Sequence, residues 1–380
     1  MADRTEADCR THQLLGSLVT YSAAYTLVPT YECFNRCQYC NFRVEPGADR
    51  WLGLAKATVK LRSLTNPLRD CYKPQSGRFP IAPASPPVLG PIEILILSGE
   101  VHPRSPRRSA WIRRIESLCR LALLEGFLPH ANVGPLDLEE MAYLKAVNVS
   151  MGLMIEQVSS ALAQTVHRHA PSKDPSRRLA QLAQAGELKI PFTTGLLIGI
   201  GETEADRLDS LRAIGQIHRQ YGHIQEVIVQ PHSPGLNQAW EGEACSAAVL
   251  LETVAIAREL LPPEIAIQVP PNLLKTAELL QRAIELGASD LGGICPIDEV
   301  NPTYDHPSLA QLTDWVAAAG GQLRPRLPIY PAFDDWLSDP MRSLVQNWRD
   351  FLGSSPNSLD SPGRFDPKPG PTMQKLISRP

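Results

Sequence analysis

Three cysteines lie within eight residues, in the spacing Cys33-x3-Cys37-x2-Cys40. Thiolate sulfur is a soft ligand that suits iron–sulfur clusters and zinc. A structural zinc site takes four protein ligands, and a ferredoxin-type carrier needs a fourth cysteine on each cluster. The next cysteine is Cys71, and no histidine pair follows closely. Three thiolates on one loop can instead hold three corners of a cubane cluster, which leaves one iron open to bind a substrate.

The other five cysteines are scattered, and eight in 380 residues are too sparse for a disulfide scaffold. Cys119 lies on an apolar helical face, so we predict that it packs in the core. His167 and His169 have the spacing of a metal-binding pair but no obvious third ligand. The remaining cysteines are predicted to be free thiols: Cys9, Cys71, Cys245 and Cys295.

Short apolar runs bounded by turn residues recur along the chain and alternate with helical patterns. This alternation indicates a parallel sheet covered by helices, and residues 20 to about 325 supply the ~250 residues of a closed (β/α)8 barrel. A doubly wound open sheet is the alternative. It requires a Gly-rich phosphate turn, but Gly199-Ile200-Gly201 has Glu204 where that motif places its last glycine. The predicted strands are 25–30, 92–97, 130–134, 147–151, 192–198, 226–230, 266–269 and 291–294.

The regions around the barrel differ from it in composition. Residues 1–20 have leucines at helical spacing, including Leu18, so we divide the chain into a helical lead-in over 1–19 and a barrel over 20–330. A proline-rich insertion over 74–91 interrupts the barrel and is predicted to be an extended surface excursion. We predict a helical segment over 331–353 and a disordered, proline-rich tail over 354–380.

Charge and hydropathy exclude two classes of partner. The 37 basic and 40 acidic residues give a net charge of −3, so the chain has no basic excess with which to bind nucleic acid. No apolar run reaches the ~18 residues that a membrane span needs. The polar start, Met1-Ala2-Asp3-Arg4-Thr5-Glu6, is unlike a signal peptide, so we expect a cytoplasmic protein.

The cysteine spacing together with Tyr39 resembles the signature of radical S-adenosylmethionine (SAM) enzymes. The string Thr20-Tyr21-Ser22-Ala23-Ala24-Tyr25-Thr26-Leu27-Val28-Pro29-Thr30, continuing through Cys40-Asn41-Phe42-Arg43, is similar more narrowly to the 7,8-didemethyl-8-hydroxy-5-deazariboflavin (Fo) synthase family. The resemblance runs from about residue 16 to 330. It implies a radical SAM barrel, complete or nearly so. It also implies a [4Fe-4S] cluster on Cys33, Cys37 and Cys40, with SAM bound at the open iron.

The resemblance also implies contacts for SAM. Tyr39 would contact the adenine, and Ser98-Gly99-Glu100 matches the motif that meets the SAM amino group. Glu156, after the fourth strand, is the candidate for the ribose, and Arg168 is a plausible partner for the carboxylate. Gly199 belongs to a fifth-strand motif whose backbone flanks the adenine.

One segment and two single residues are placed to line a substrate pocket. They are Gln230-Pro231-His232 at the end of the sixth strand, and Asp298 and Asn301 just after the eighth. The implied reaction is a carbon–nitrogen lyase reaction on 5-amino-5-(4-hydroxybenzyl)-6-(D-ribitylimino)-5,6-dihydrouracil, which releases ammonia and forms Fo. Implied partners are an electron donor such as ferredoxin or flavodoxin and the synthase that couples tyrosine to the ribityl-diaminouracil. The alternatives are that this chain is itself the tyrosine-coupling enzyme, or a non-enzymatic iron–sulfur or zinc module.

Overall fold

The computed structural model describes residues 18–71, 90–274 and 276–353. The lead-in up to residue 17 and the tail predicted over 354–380 lie outside these residues. So does the proline-rich insertion, except for its last two positions. None of the described helices is long and apolar enough to cross a bilayer.

Eight parallel strands close into a barrel, because the strand order β2-β3-β4-β5-β6-β7-β8-β1 is completed by pairing between β1 and β2. The predicted (β/α)8 fold is therefore confirmed. A ninth strand, which the sequence did not predict, pairs in parallel with β1. The strands are β1 (Leu18–Leu27), β2 (Glu93–Leu97), β3 (Leu128–Asn132), β4 (Ser150–Gly152), β5 (Phe192–Ile198), β6 (Ile224–Pro231), β7 (Ala266–Gln268), β8 (Asp290–Ile294) and β9 (Gln322–Arg326).

Helices cover the outside of the barrel between successive strands. In the part of the chain that the structure describes, four short 3-10 turns supplement them, at Ser160–Gln164, Pro171–Lys173, Pro271–Leu273 and Pro331–Trp336. Within the described residues the α-helices are α1 (Leu54–Ser63), α2 (Pro67–Cys71), α3 (Arg108–Leu124), α4 (Leu138–Lys145), α5 (Pro175–Glu187), α6 (Glu204–Tyr221), α7 (Ala247–Leu260), α8 (Ala277–Glu285), α9 (Leu309–Ala318) and α10 (Asp339–Gly353).

The first strand begins earlier than predicted. Helical spacing was expected through residue 20, but Leu18 is the first residue of β1, so that part of the prediction is wrong. The lower half of β1, Leu18–Ser22, pairs with β9, and its upper half, Ala24–Leu27, pairs with β2. Because β9 supplies backbone partners at this position, the segment satisfies its hydrogen bonds as a strand.

The main core lies between the helices and the outer face of the strands. Helix α3 contributes Trp111, Ile115 and Leu118, all fully buried. Cys119, also fully buried, is in the core as predicted. The helix stops before Gly126, whose φ of +81° is in the left-handed region that glycine adopts without strain. Each such large apolar side chain contributes roughly 1.5–3 kcal/mol relative to exposure.

A buried ion-pair network fills the amino-terminal end of the barrel. Arg326, at the end of β9, contacts Asp290 Oδ1 at 2.8 Å and Glu226 Oε1 at 2.7 Å. Burial raises the pKa of Glu226, and the guanidinium of Arg326 opposes that rise. The network lies at the end of the barrel that TIM-type enzymes use for stability, so we assign it a structural role.

Candidate active site

A cavity opens at the carboxyl ends of the barrel strands, the face on which TIM-type barrels place their chemistry. Its wall is built from the loop after β1 and from the ends of β2 to β6. The loop after β8 completes it with Val300 and Asn301. Residues far apart in the sequence therefore meet because each follows a strand of one closed sheet.

The loop after β1, residues 28–53, carries the three clustered cysteines and is called the cysteine loop below. Cys33, Cys37 and Cys40 all line the cavity. The loop is fixed from two sides, since Phe34 N donates to Glu100 O at 3.0 Å and Arg36 N donates to His169 O at 2.8 Å. The structure thus brings the three predicted ligands together on a restrained backbone.

The surroundings of two of the three thiols, Cys33 and Cys37, favour the protonated form. Burial raises the pKa of Cys33 to about 11 and that of Cys37 to about 12. Nearby carboxylates, such as Glu100 beside Cys33, add to the rise. Cys33 and Cys37 therefore stay protonated near neutral pH, and any metal that they bound would have to displace their protons.

The three cysteines do not form a site for a single metal ion in the part of the chain that the structure describes. Among residues 18–71, 90–274 and 276–353, no three His, Cys, Asp or Glu side chains gather closely enough to hold one metal ion. The ligands of a cubane cluster each bind a different iron, so they need not converge. His167 and His169 do not form a metal pair: the His167 Nε2 atom lies 2.9 Å from the Tyr39 hydroxyl, and the His169 side chain is exposed.

The segment Ser98-Gly99-Glu100 follows β2 and also lines the cavity. A Cβ atom on Gly99 would lie 2.1 Å from the Glu32 carbonyl oxygen, so only glycine fits against the start of the cysteine loop. Ser98 Oγ accepts a hydrogen bond from the indole of Trp111 at 3.0 Å. The small residues therefore let β2 approach the cysteine loop at backbone distance.

Glu100 is held by a buried arginine that the sequence analysis missed. Arg178, in α5, is 1% exposed and donates to Ser172 O at 3.0 Å, to Met154 O, and to Glu100 Oε1 at 3.4 Å. Asn35, inside the cysteine loop, donates to Glu100 Oε2 at 2.8 Å. The carboxylate is thus joined both to the cysteine loop and to the helix after β4.

Glu156, the predicted ribose contact, lines the cavity with a strained backbone φ of +63°. Lys173 pairs with its carboxylate, and Arg178 Nη1 lies 4.0 Å from it. Burial alone would raise the pKa of Glu156, but the charges of Lys173 and Arg178 outweigh burial and lower it. Glu156 is therefore a carboxylate in the cavity wall, and Lys173 is the second cation that the sequence analysis missed.

Arg168 is not in this cavity. It is exposed and does not line the wall, so its predicted contact with the SAM carboxylate is not supported. The segment between β4 and α5 folds so that Lys173 and Arg178 point inward instead. Gly199 and Asp298 are likewise outside the wall: Gly199 N donates to Glu202 at 2.8 Å, and Asp298 accepts from the backbone of Asn301 at 3.0 Å.

Tyr39 lines the cavity beside the cysteines, where burial raises its pKa well above the usual range. Its hydroxyl meets His167, whose own pKa is lowered to about 4, chiefly by burial. The imidazole is therefore neutral and can accept the tyrosine proton in a hydrogen bond. This pairing fixes the ring of Tyr39 next to the predicted cluster ligands.

Two relatives that are about half identical to this chain share one name. A 7,8-didemethyl-8-hydroxy-5-deazariboflavin synthase from Trichormus variabilis is 52% identical over 337 residues, which are 89% of this chain and 93% of the relative. The protein of that name from Thermosynechococcus vestitus is 54% identical over 328 residues, covering 86% and 97% respectively. The chain belongs to the 7,8-didemethyl-8-hydroxy-5-deazariboflavin synthase family. The resemblance indicated by the cysteine motif and its flanking residues is confirmed.

Solved structures share the fold of this deazariboflavin synthase family member at low sequence identity. The FeFe-hydrogenase maturase HydG from Carboxydothermus hydrogenoformans superposes with a TM-score of 0.65 at 19% identity, over 92% of this chain and 76% of that one. Methylornithine synthase (PylB) gives 0.60 at 14% identity, over 86% and 88%. No family model matches the chain. These neighbours establish the barrel fold alone.

Proposed function

We propose that this chain forms Fo from 5-amino-5-(4-hydroxybenzyl)-6-(D-ribitylimino)-5,6-dihydrouracil, with SAM cleaved to methionine and 5′-deoxyadenosine and with ammonia released. Membership of the synthase family supports the substrate and product. The observation that carries the proposal is the set of three loop thiols in one cavity whose wall also holds paired carboxylates and cations. In this proposal the enzyme is a carbon–nitrogen lyase.

Cys33, Cys37 and Cys40 would hold a [4Fe-4S] cluster, since the cavity presents three thiols and each can serve one iron. When bound, the cluster supplies the electron that cleaves SAM into methionine and a 5′-deoxyadenosyl radical. The protein's part is to orient the reactants and to exclude water from the cavity. Asn35 contributes by tying the cysteine loop to Glu100.

SAM carries an ammonium group, a carboxylate and a ribose, and the wall has complementary groups. We assign Glu100 and the backbone of Ser98 and Gly99 to the ammonium group, because a carboxylate and carbonyls attract a cation. Glu156 remains the candidate for the ribose hydroxyls and Tyr39 for the adenine. The cations for the SAM carboxylate are Lys173 and Arg178, in place of Arg168.

The other part of the cavity is lined by amide side chains that suit a uracil and a ribityl chain. Asn132, Gln230 and Asn301 are all in the wall. Such groups donate and accept hydrogen bonds without carrying the strong charge of the SAM end. We propose that this side binds the hydroxybenzyl-ribityl-uracil substrate.

Two protein partners follow from the proposed reaction. Each cleavage of SAM consumes one electron, so an electron donor such as ferredoxin or flavodoxin is required. The substrate is the product of the enzyme that couples tyrosine to the diaminouracil, so that enzyme is the upstream partner. The thiols of the cysteine loop must stay reduced until they bind iron, which favours a cytoplasmic location.

The experiment is an anaerobic assay of reconstituted protein. With the hydroxybenzyl-uracil intermediate, SAM and a reductant, we expect a fluorescent deazaflavin and one 5′-deoxyadenosine per turnover. Supplying tyrosine and the diaminouracil instead should give no product. Reaction only with tyrosine and the diaminouracil would identify the chain as the coupling enzyme. One zinc per chain, with no SAM cleavage, would show a non-enzymatic metal module.

A further inference from the structure

A buried histidine in the cavity wall has no part in the contacts described so far. His232 directly follows β6, is 4% exposed, and lines the cavity. The following loop, residues 233–246, runs to the start of α7 and is called the β6–α7 loop. The Nδ1 atom of His232 lies 3.2 Å from Glu243 O, and its Nε2 atom lies 3.1 Å from Gln238 Oε1.

Both of these partners are hydrogen-bond acceptors. Glu243 contributes a backbone carbonyl, which can only accept. The orientation of the Gln238 amide is fixed by its neighbours, because Gly235 N donates to Oε1 at 3.2 Å and Nε2 donates to Trp240 O at 2.7 Å. A neutral imidazole has one N–H group and can satisfy only one acceptor, whereas an imidazolium satisfies both.

The aromatic neighbour of His232 also favours the charged ring. The indole of Trp240 lies with its centroid 4.7 Å from that of His232, at an interplanar angle of 57°. A cation within about 6 Å of an indole face is attracted by the ring quadrupole. Two acceptors and an indole therefore surround an imidazole that no other part of the site employs.

We propose that His232 is held as an imidazolium, and that in this form it holds the β6–α7 loop against the cysteine loop. The hydrogen bonds of His232 to Gln238, Glu243 and Cys245 are called the clasp below. The backbone of His232 also binds the far end of the β6–α7 loop, because Cys245 N donates to His232 O at 2.9 Å. Loss of the ring proton would break one of its two side-chain hydrogen bonds. His232 is thus a positioning residue for the proposed Fo synthase reaction.

The β6–α7 loop in turn holds the cysteine loop between Cys37 and Tyr39. Ala239 N and Trp240 N both donate to the carbonyl of Gln38, at 2.8 and 2.9 Å. Gln38 lies between Cys37 and Tyr39, and Asn237 N donates to the nearby Asn41 Oδ1 at 2.8 Å. A looser β6–α7 loop would therefore free the backbone that positions a predicted cluster ligand and the predicted adenine contact.

Other ionisable groups share the cavity wall and the β6–α7 loop with His232. In the loop they are Glu241, Glu243 and Cys245, and in the wall they are Cys33, Cys37, Tyr39, Cys40, Arg43, Glu100, Glu156, Lys173 and Arg178. The Glu202 carboxylate, which influences Cys245, is already held by Arg207 at 3.3 Å and by the amides of Gly199 and Ile200. Burial raises the pKa of Cys245 to about 11, so that thiol is neutral near pH 7.

The first test reads the protonation of His232 directly and needs no activity. The full chain, labelled with 15N-histidine, is examined by NMR spectroscopy that correlates ring nitrogens with ring protons. The His232 signal is identified by its loss in His232→Gln. We expect two protonated ring nitrogens at pH 7.5, and a single neutral tautomer at that pH would overturn the proposal, whatever the fate of the proposed function.

The second test rests on the proposed function and uses the pH profile of SAM cleavage. Gln238→Glu keeps the acceptor and adds an opposite charge, so the alkaline limb should move to higher pH by about one unit. His232→Phe should lower kcat about tenfold, and His232→Gln should recover part of that loss. The control, His169→Gln, alters an exposed side chain and should leave the pH profile and kcat unchanged. Superimposable profiles for wild type and Gln238→Glu would contradict the clasp.

Discussion

Replacing Arg178 by methionine tests the buried ion pairs in the wall of the cavity. Methionine retains much of the volume but removes the guanidinium that joins Glu100, Ser172 O and Met154 O. Removing one partner of a buried ion pair costs about 3–5 kcal/mol. Each carbonyl left without a donor adds about 1 kcal/mol or more. Lys173 still neutralises Glu156, so we expect a total loss on the order of 5 kcal/mol in the free energy of unfolding.

The assay is urea denaturation of the purified chain, together with equilibrium binding of SAM to the reconstituted protein. The same substitution at Arg168 is the matched control, because that side chain is exposed and should change stability by less than about 0.5 kcal/mol. Glu100→Gln combined with Arg178→Met should recover part of the loss, since the uncompensated charge is then gone. If Arg178→Met cost less than about 1 kcal/mol, or if Arg168→Met cost as much, the buried network would not have the role assigned to it.

Three further results are expected. Alanine at any of the three cysteines of the cysteine loop should abolish iron loading in an anaerobic iron and sulfide analysis; Cys119→Ala should instead load iron and lower stability by about 1 kcal/mol. Gly99→Ala should cost about 1–3 kcal/mol in urea denaturation, because its Cβ meets Glu32 O at 2.1 Å; an unchanged midpoint would argue against that contact. The pKa of Glu156 is lower in the folded chain than in the unfolded chain, so its pairing with Lys173 stabilises the fold fully at pH values above the unfolded-state pKa. That stabilisation is lost as the pH falls through the folded-state pKa of Glu156. Lys173→Met should therefore be less stable than wild type at pH 7, with a difference that shrinks in acid; a constant difference would contradict the pairing.

The strands were predictable where burial on both faces gives a continuous apolar run. The prediction for β5 matches Phe192–Ile198, and that for β2 is within one residue of Glu93–Leu97. The strand β9 was missed because Gln322-Leu323-Arg324-Pro325-Arg326 is polar and contains proline, which is tolerated at a sheet edge. Such a strand is specified by its partner rather than by its own pattern.

The grouping of the three cysteines in one cavity was predictable because all three lie on one short loop, where sequence spacing limits the distance between them. The positions of the cations were not predictable, since Arg168, Lys173 and Arg178 lie in or just after an irregular segment with 3-10 turns at Ser160–Gln164 and Pro171–Lys173. No single period relates sequence position to side-chain direction through such a segment. The choice between an exposed arginine and a buried one was therefore made by tertiary packing, and Asn35 was missed for the same reason.

The divided pairing of β1 bears on the order in which the barrel is completed during synthesis. The strand leading into the cysteine loop emerges early from the ribosome, but its lower half pairs with Gln322–Arg326, near the other end of the described chain. Until that late segment has been translated, the lower half of β1 has only β8 beside it and its second edge is unpaired. A nascent chain that ends before residue 322 would therefore carry the cysteine loop on a first strand that is only partly paired.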